Sequence, residues 1–493
     1  TFSGGVTLSA GAIQVGDNAA LGSGTVTFSG GRISSDSATA RSLANAFAMS
    51  GTLGLGDATN NGALTLSGNV ALGGDTTLTV ASAATLSGVV SGAYSLTKAG
   101  VDELTLSGVN TFSGPTNVDA GVLTLSGGSA LINSMAVTVS AGGTLKLASN
   151  EEIGSLAGAG AVNLQGNVLS VSGGVDTIYS GLMSGAGSLV KTGSAVFTMS
   201  GANTFSGGVT LSAGAIQVGD NAALGTGTVT FSGGRISSES ATARTLANAF
   251  AMSGTLGLGD ATNNGALTLS GNVALGGDTT LTVASAATLS GVVSGAYSLT
   301  KAGVDELTLS GVNTFSGPTN VDAGVLTLSG GSALINSMAV TVSAGGTLKL
   351  ASNEEIGSLA GAGAVNLQGN VLSVSGGVDT IYSGLMSGAG SLVKTGSAVF
   401  TMSGANTFSG GVTLSAGAIQ VGDNAALGSG TVTFSGGRIS SDSATARSLA
   451  NAFAMSGTLG LGDATNNGAL TLSGNVALGG DTTLTVASAA TLS

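Results

Sequence analysis

The sequence contains neither cysteine nor histidine. Disulfides and thiolate metal sites are therefore excluded, and so are zinc sites with histidine ligands. Nucleophilic catalysis by a Ser-His-Asp or Cys-His arrangement needs an imidazole base, so these sites are excluded as well. Because most hydrolytic chemistry is removed by these two absences, we expect that the chain is not an enzyme. We expect no catalytic residues, no cofactor and no metal site.

Charge is also scarce, and most of it has one sign. Charged residues make up 7% of the 493 residues, and 24 acidic against 12 basic residues give a net charge of −12. Proteins bind nucleic acids largely through Lys and Arg side chains that displace counterions from phosphates. A surface of the opposite sign repels phosphate, so nucleic acid and anionic membrane are poor partners. No apolar run approaches the roughly 20 residues that cross a bilayer as a helix.

Proline is nearly absent, with 2 residues, yet hydrophobic residues make up 42% of the chain. Disordered chains have the reverse composition, with high charge and few apolar residues. Polar and apolar residues are interleaved at the same density from end to end, without a linker. We therefore expect one continuous folded structure.

A near-exact internal repeat dominates the sequence. The segment that begins at Thr1-Phe2 returns at Thr204-Phe205 and at Thr407-Phe408, which is a period of 203 residues. We assign residues 1–203 and 204–406 to two complete copies and residues 407–493 to a partial third copy. Three positions differ between the copies, each with its chemical group kept: Ser23/Thr226/Ser429, Asp36/Glu239/Asp442 and Ser42/Thr245/Ser448. Repetition at a fixed period is typical of solenoids, in which each unit packs against its neighbours.

Within each copy, apolar residues alternate with Thr, Ser and Asn and then stop at Gly-rich turns. A period of two predicts β-strands. The clearest strands are Val6-Thr7-Leu8, Leu64-Thr65-Leu66, Leu78-Thr79-Val80, Leu104-Thr105-Leu106, Leu123-Thr124-Leu125, Val137-Thr138-Val139 and Leu145-Lys146-Leu147. The segment from Ala38 to Met49 is compatible with a short helix, although we favour a strand there.

The spacing of the strand onsets predicts a parallel β-solenoid with about 22 turns, each of about 22–23 residues. Leu, Val and Ile are expected to point into one core, while Thr and Ser form outward hydroxyl ladders on neighbouring turns. An antiparallel barrel or a sandwich also uses alternating strands of this length. Closed barrels, however, do not extend by duplication, so the all-β solenoid is favoured.

Two segments of each copy share a pattern at an offset of 93 residues. Both contain a Leu-x-Lys-x-Gly element followed by an Asn-x-Phe-x-Gly element. The residues that carry it are Leu96, Lys98, Gly100, Asn110, Phe112 and Gly114, and then Leu189, Lys191, Gly193, Asn203, Phe205 and Gly207. This pattern resembles the passenger-associated transport repeat of bacterial autotransporters. The resemblance implies a right-handed parallel β-helix that is secreted to the cell surface.

Paired carboxylates are the remaining candidates for catalysis, because polysaccharide-cleaving β-helices use two acids. The candidates are Asp102-Glu103 and Glu151-Glu152. Neighbouring residues on a strand face opposite sides of the sheet, and acids on a turn are usually solvated. We therefore interpret both pairs as solvated turn charge.

Three further patterns are compatible with binding sites. Gly73-Gly74-Asp75 is similar to a calcium-binding solenoid turn, but it stands alone in each copy and predicts a tight turn. The clusters at 158–160 and 185–187 follow no strand-to-helix transition of the dinucleotide-binding kind, and they predict turns. Asn110 and Asn203 are far apart in sequence, so we interpret each as a local turn or cap rather than part of an internal ladder.

Paired threonines raise the possibility of ice binding. The pairs are Thr25/Thr27 and Thr77/Thr79. A lattice match needs such pairs in register on every turn, and the predicted turns vary in length. Ice binding is therefore disfavoured.

We expect a structural fibre or stalk on the bacterial surface, a rod that self-associates end to end or laterally. The alternative is an adhesin that binds a glycan or a protein along one face, since solenoids offer extended surfaces. Exposed aromatic residues on one face would favour the adhesin, but each copy supplies Tyr94, Tyr179 and a few Phe. Both ends of the sequence fall within a repeat, so we expect a longer chain or stacked protomers.

Overall fold

Alternating aliphatic and hydroxyl residues form short strands, because branched side chains suit a pleated and half-buried surface. A computed structural model describes residues 2–131, 136–334 and 339–493. Thr1, with which the first predicted copy begins, lies outside them. The described residues contain 53 strands and no α-helix.

The first copy contains the strands β1 (Val6–Leu8), β2 (Ala12–Val15), β3 (Val26–Phe28), β4 (Arg32–Ser35), β5 (Arg41–Leu43), β6 (Phe47–Leu55), β7 (Leu64–Leu66), β8 (Val70–Val80), β9 (Ala84–Leu86), β10 (Val90–Ser91), β11 (Leu96–Ala99), β12 (Glu103–Leu106), β13 (Thr116–Leu125), β14 (Val137–Leu147), β15 (Glu151–Ile153), β16 (Leu156–Gly158), β17 (Ala161–Asn163), β18 (Val168–Val171), β19 (Thr177–Tyr179), β20 (Met183–Ser184), β21 (Ser188–Lys191) and β22 (Val196–Met199). The later copies repeat these bounds at the 203-residue period, from β23 (Val209–Leu211) to β44 (Val399–Met402) and from β45 (Val412–Leu414) to β53 (Ala490–Leu492). All seven segments that were predicted as the clearest strands lie in strands, although residues 137–139 and 145–147 belong to one strand, β14. The segment from Ala38 to Met49 contains β5 and the start of β6 rather than a helix.

The chain divides into two compact units, Thr1–Ser240 with Leu246–Asn248, and Ala241–Thr245 with Ala249–Ser493. Each unit is a parallel β-solenoid, as the sequence predicted. The described residues contain about 24 turns, within two of the predicted number.

The turns are shorter than the predicted 22–23 residues in many places. Val6 pairs with Val26, Leu96 with Thr116, and Leu169 with Leu189, so these turns contain 20 residues. The number of turns also differs from the predicted number. One reason is that β19 belongs to a separate turn, between the turns that contain β16 and β22. Its Ile178 is exposed while Tyr179 is buried, so the strand lacks the usual outward hydroxyl residue.

Each turn has three sides, and each side pairs with the same side of the next turn. In the first unit, the first ladder joins β8, β11 and β13. The second ladder joins β7, β9, β12 and β13, and the third joins β1, β3, β6, β8 and β10. The second unit has equivalent pairings. Three parallel ladders therefore surround one core in each unit.

Gly73-Gly74-Asp75 lies inside β8, so the predicted tight turn is wrong. Met49 pairs with Leu72 and Gly51 with Thr76, so these three residues of β8 face a single residue of β6. Such a bulge bends a strand without ending it, and it lets β8 serve two ladders. Asp75 Oδ1 accepts hydrogen bonds from the amide and the hydroxyl of Ser95, at 2.9 and 2.8 Å.

Inward positions on the ladders are filled by aliphatic side chains. Leu104 and Leu106 of β12 are fully buried, while Thr105 between them points outward. Full burial of a leucine contributes about 1.5–3 kcal/mol. The alternation of side chains therefore decides which residues stabilise the fold.

We predict that Leu104→Asp destabilises the solenoid by about 3–5 kcal/mol, because it places an unpaired charge in the core. Thr105→Asp should change the stability by about 1 kcal/mol or less. Thermal unfolding with hydrogen exchange at residues 84–125 compares the two variants. Equal tolerance of both substitutions would contradict the assignment of inside and outside.

Candidate functional site

The outward face of the second ladder carries a row of threonines. Thr65, Thr85, Thr105 and Thr124 lie in register on consecutive turns. Their hydroxyl groups form the outward ladder that the sequence predicted. The Thr124 hydroxyl donates a hydrogen bond to the carboxylate of Glu103. This face is polar but contains few charged groups.

Paired threonines do not continue from turn to turn on the first ladder. Thr77 pairs with Thr97, but Thr79 pairs with Ala99. On the following turn Thr97 pairs with Asn117, whose side-chain amide donates to the Thr97 hydroxyl at 3.2 Å. A regular array of threonine pairs is therefore absent from these turns.

Every basic side chain of the first copy is either paired with an acid or buried. Arg32 contacts Asp57 at 2.6 Å, Arg41 contacts Asp36 at 3.1 Å, and Lys146 contacts Glu103 at 3.7 Å. Lys98 and Lys191 are buried. Because the cations are neutralised or removed from the surface, the remaining exposed charge is acidic.

Lys98 occupies an inward position on the first ladder, between Leu78 and Val118. Its ammonium group donates hydrogen bonds to the carbonyl oxygens of Ala99, Gly100 and Ala120, at 3.0, 2.8 and 2.9 Å. These bonds use all three donors of the ammonium. Burial lowers the pKa of Lys98 to about 8, against the opposing charge of Asp102. The side chain therefore closes a corner of the solenoid from the inside.

Lys191 has a similar position on the third ladder. It is buried, and its ammonium donates to the carbonyl oxygen of Gly193. Burial lowers the pKa of Lys191, while Asp176 acts in the opposite direction. The lysine of the shared motif thus has a structural role in both segments.

Asn110 and Asn203 join neighbouring turns, so their interpretation as local turns or caps is wrong. The Asn110 side chain accepts from the amide of Val90 at 2.8 Å and donates to the carbonyl of Ala130 at 3.0 Å. The Asn203 side chain likewise links Met183 and Ala223, each 20 residues away. Each buried side-chain amide therefore takes the place of backbone hydrogen bonds between three successive turns.

In the first acidic pair, Asp102 lies at a corner of the turn and Glu103 lies on β12. Glu103 is half-exposed and contacts Lys146, while Asp102 lies in the turn before the strand. Nothing in this arrangement brings the two acids to a common cavity. Asp102 agrees with the interpretation as turn charge, whereas Glu103 lies on a strand and contacts Thr124 and Lys146, so that interpretation is wrong for Glu103.

The second pair differs from its interpretation, because Glu151 is buried rather than solvated. Its carboxylate accepts hydrogen bonds from the amide of Ala130 at 2.9 Å and from the hydroxyl of Ser149 at 3.1 Å. Burial raises the pKa of Glu151. Glu152 points outward and accepts from the Ser172 hydroxyl at 2.7 Å. The two acids face opposite sides of β15, so they do not flank a common substrate position.

Three exposed apolar side chains lie close together in sequence on one turn of each complete copy, while Val101 and Val109, which are 82% and 58% exposed, lie on other turns. Val175, Ile178 and Leu182 are 65%, 62% and 47% exposed. Of the two tyrosines in the copy, Tyr94 is exposed, whereas Tyr179 is buried and donates to the Gly160 carbonyl at 2.9 Å. We call Val175, Ile178 and Leu182 the apolar strip.

Among residues 2–131, 136–334 and 339–493, no group of three or more acidic side chains is arranged to hold a metal ion. The same residues include no helix of the length and hydropathy that a membrane span requires.

We predict that EDTA leaves the melting temperature of the solenoid unchanged, because its acidic side chains are satisfied by hydrogen bonds rather than by bound metal ions. Differential scanning calorimetry with and without the chelator measures this directly. Magnesium-saturated EDTA is the control for ionic strength. A clear fall in melting temperature would restore the calcium-binding interpretation of Asp75.

We predict that stability rises between pH 8 and pH 10, because the unfolded chain then binds more protons at Lys98 and Lys301 than the folded chain does. The double variant K98M/K301M should reduce this rise. It should also be less stable at neutral pH, since buried carbonyls lose their donors. Thermal melts across this range test the prediction, with Lys146→Met as a half-exposed control. An identical pH profile in K98M/K301M would contradict it.

Four segments match the family model of the passenger-associated-transport-repeat, at residues 96–129, 189–218, 299–332 and 392–421. The motif lysines and asparagines described above lie in these segments. The chain is also similar to a curated protein, the adhesin BmaC autotransporter of Brucella suis biovar 1 (strain 1330). The identity is 33% over 336 residues, which is 65% of this chain and 10% of that protein. The chain thus spans about a tenth of the relative's length. No solved structure matches.

Proposed function

Because this chain is part of an autotransporter passenger domain, extracellular at the cell surface, we propose that its role there is structural. It acts as a stalk or fibre segment whose length depends on the number of 203-residue copies. The observation that carries this proposal is the continuity of the ladders through the junction between the first two copies. In the first unit, β22 on one side of residue 203 pairs in register with β24 (Ala215–Val218) on the other.

The packing of the turns supports this role. Each turn buries its apolar side chains against its neighbours, so an added copy extends the core without a new domain interface. The outward faces carry hydroxyl groups and paired charges, which keep the surface soluble. Self-association of such segments, end to end or laterally, remains part of the same proposal.

We further propose that the segment has no enzymatic activity. Its sequence supplies no imidazole or thiol, and the buried carboxylate of Glu151 is occupied by hydrogen bonds that hold the preceding turn. The outward Glu152 is bound to Ser172.

The second candidate function is adhesion to a glycan or protein along one face. The relative's description as an adhesin favours it. The apolar strip also favours it, because exposed valine, isoleucine and leucine side chains on one turn are apolar area that another macromolecule could cover.

We predict that removal of residues 204–406 from the intact passenger shortens its surface projection by on the order of 50 Å, at about 4.8 Å per turn. The deletion restores the original sequence at the junction, so folding should be retained. Electron microscopy of cells measures the length, and attachment assays measure adhesion.

The matched control is the variant I178S/I381S, which changes the apolar strip in both complete copies and leaves the length unaltered. Loss of attachment in this variant would support the adhesin. An unchanged projection after the deletion would contradict the stalk.

A further inference from the structure

The second ladder is interrupted near the start of each copy, where a loop replaces a strand. In the second unit, β49 (Arg447–Leu449) pairs with β51 (Leu470–Leu472) and is the edge of a three-stranded sheet. The loop at 422–430 lies beside its other edge. There the amide of Ser448 donates to the side-chain oxygen of Asn424 at 2.9 Å, so a side chain replaces a ladder carbonyl.

A groove of about 330 Å³ follows from this interruption. Its polar lining residues are Asn424, Ser429, Ser448 and Asn451, and the methyl groups of Ala425 and Ala450 lie beside them. No charged residue is among the lining residues. This volume falls at the lower end of the range for small-molecule sites, about 300–1,000 Å³. The groove is therefore small, neutral and rich in hydrogen-bonding groups.

Asn451 fixes the floor of the groove. It is buried, and its side-chain amide donates to the carbonyls of Gly428 and Gly430 at 3.1 and 2.8 Å. These bonds hold the loop in place against the strand that follows it. The groove is thus a defined feature of the fold, with its walls set by hydrogen bonds between asparagine side chains and the backbone.

The first copy contains the same groove, with a volume of about 310 Å³. Asn18, Ser23 and Ser42 supply its polar lining. Ser42 donates its amide hydrogen to Asn18 Oδ1 at 2.9 Å, as Ser448 does to Asn424. The geometry therefore recurs independently in each unit.

Sequence variation between the copies concentrates at these residues. Only three positions differ between equivalent residues, and two of them are the serines that line the groove, Ser23 and Ser42 in the first copy. The second copy has Thr226 and Thr245 at these positions. A threonine keeps the hydroxyl group but adds a methyl group, so the change alters the space available to a ligand and keeps the hydrogen-bonding group.

We propose that the grooves of the first and third copies bind one neutral sugar residue each. Serine hydroxyls and asparagine amides both donate and accept hydrogen bonds, as the hydroxyls of a sugar require. The methyl groups of Ala425 and Ala450 face the apolar C–H groups of the ring. Charged ligands are disfavoured because no side chain of opposite charge lines the groove. The proposal names a ligand class for the adhesin alternative and rests on it. It requires that the chain is displayed at the cell surface, and it does not depend on the stalk role.

The test is a titration of the whole chain with galactose, glucose and N-acetylglucosamine. Isothermal titration calorimetry and saturation-transfer NMR measure the binding. The expected result is saturable binding of at least one of these sugars to two equivalent sites per chain. The fourfold variant S23T/S42T/S429T/S448T should bind about tenfold more weakly, because each added methyl group narrows the groove. It should fold normally, since the second copy already has threonine at the equivalent positions.

A second variant, A44E/A450E, fills both grooves with an exposed side chain and should abolish binding. Absence of saturable binding of all three sugars to the unaltered chain would overturn the proposal. Unchanged affinity in both variants would place the sugar elsewhere and would also overturn it. Neither result affects the length of the surface projection, so the stalk function is tested separately.

Discussion

Backbone hydrogen bonding between successive turns is the constraint on which the rest of the structure depends. The amide of Val6 donates to the carbonyl of Thr25 at 3.1 Å, and the amide of Val26 donates to that of Ala46 at 2.9 Å. Because pairing is parallel and in register, equivalent positions lie above one another along each ladder. A shift of one residue would move every inward leucine to the surface. Variation in turn length is therefore confined to bulges and corners, such as the bulge in β8.

The corners require buried polar side chains, because the chain changes direction there and some backbone groups leave the ladder. A buried polar group without a partner costs free energy, so these positions need specific donors and acceptors. Lys98 supplies donors to three carbonyls, Asn110 supplies both a donor and an acceptor, and Glu151 accepts from a backbone amide. Their chemistry is polar, but their role resembles that of core residues. This accounts for a motif that combines Lys, Asn and Gly with aliphatic residues.

Alternation of apolar and hydroxyl residues was sufficient to predict the fold class and the clearest strands, because each outward threonine marks its neighbours as inward. The same rule contained a signal for Lys98, which has the parity of Leu96, and for Glu151, which has the parity of Ile153. The sequence analysis interpreted Glu151 as solvated because acidic residues are usually exposed, although its position in the alternation indicates an inward side chain. The partners of Asn110 could not be predicted, since they lie 20 residues away in both directions and depend on turn length. The groove at Ser448 depends on a missing strand, which no local pattern marks.

Duplication at 203 residues works because the copy contains a whole number of turns. Val6 pairs with Val26, and after one period Val209 pairs with Val229 on the same ladder. A period with a fractional turn would place equivalent residues of successive copies on different ladders, as the shared motif does with Lys98 and Lys191. A whole number of turns keeps equivalent residues on one ladder, so copies can join without a linker. None is needed in the first unit, where β22 and β24 pair across residue 203. The length of the solenoid and its surface chemistry can thereby change separately. Copies can be added without altering the core, while single positions such as Ser23 vary on a backbone that the ladders hold fixed.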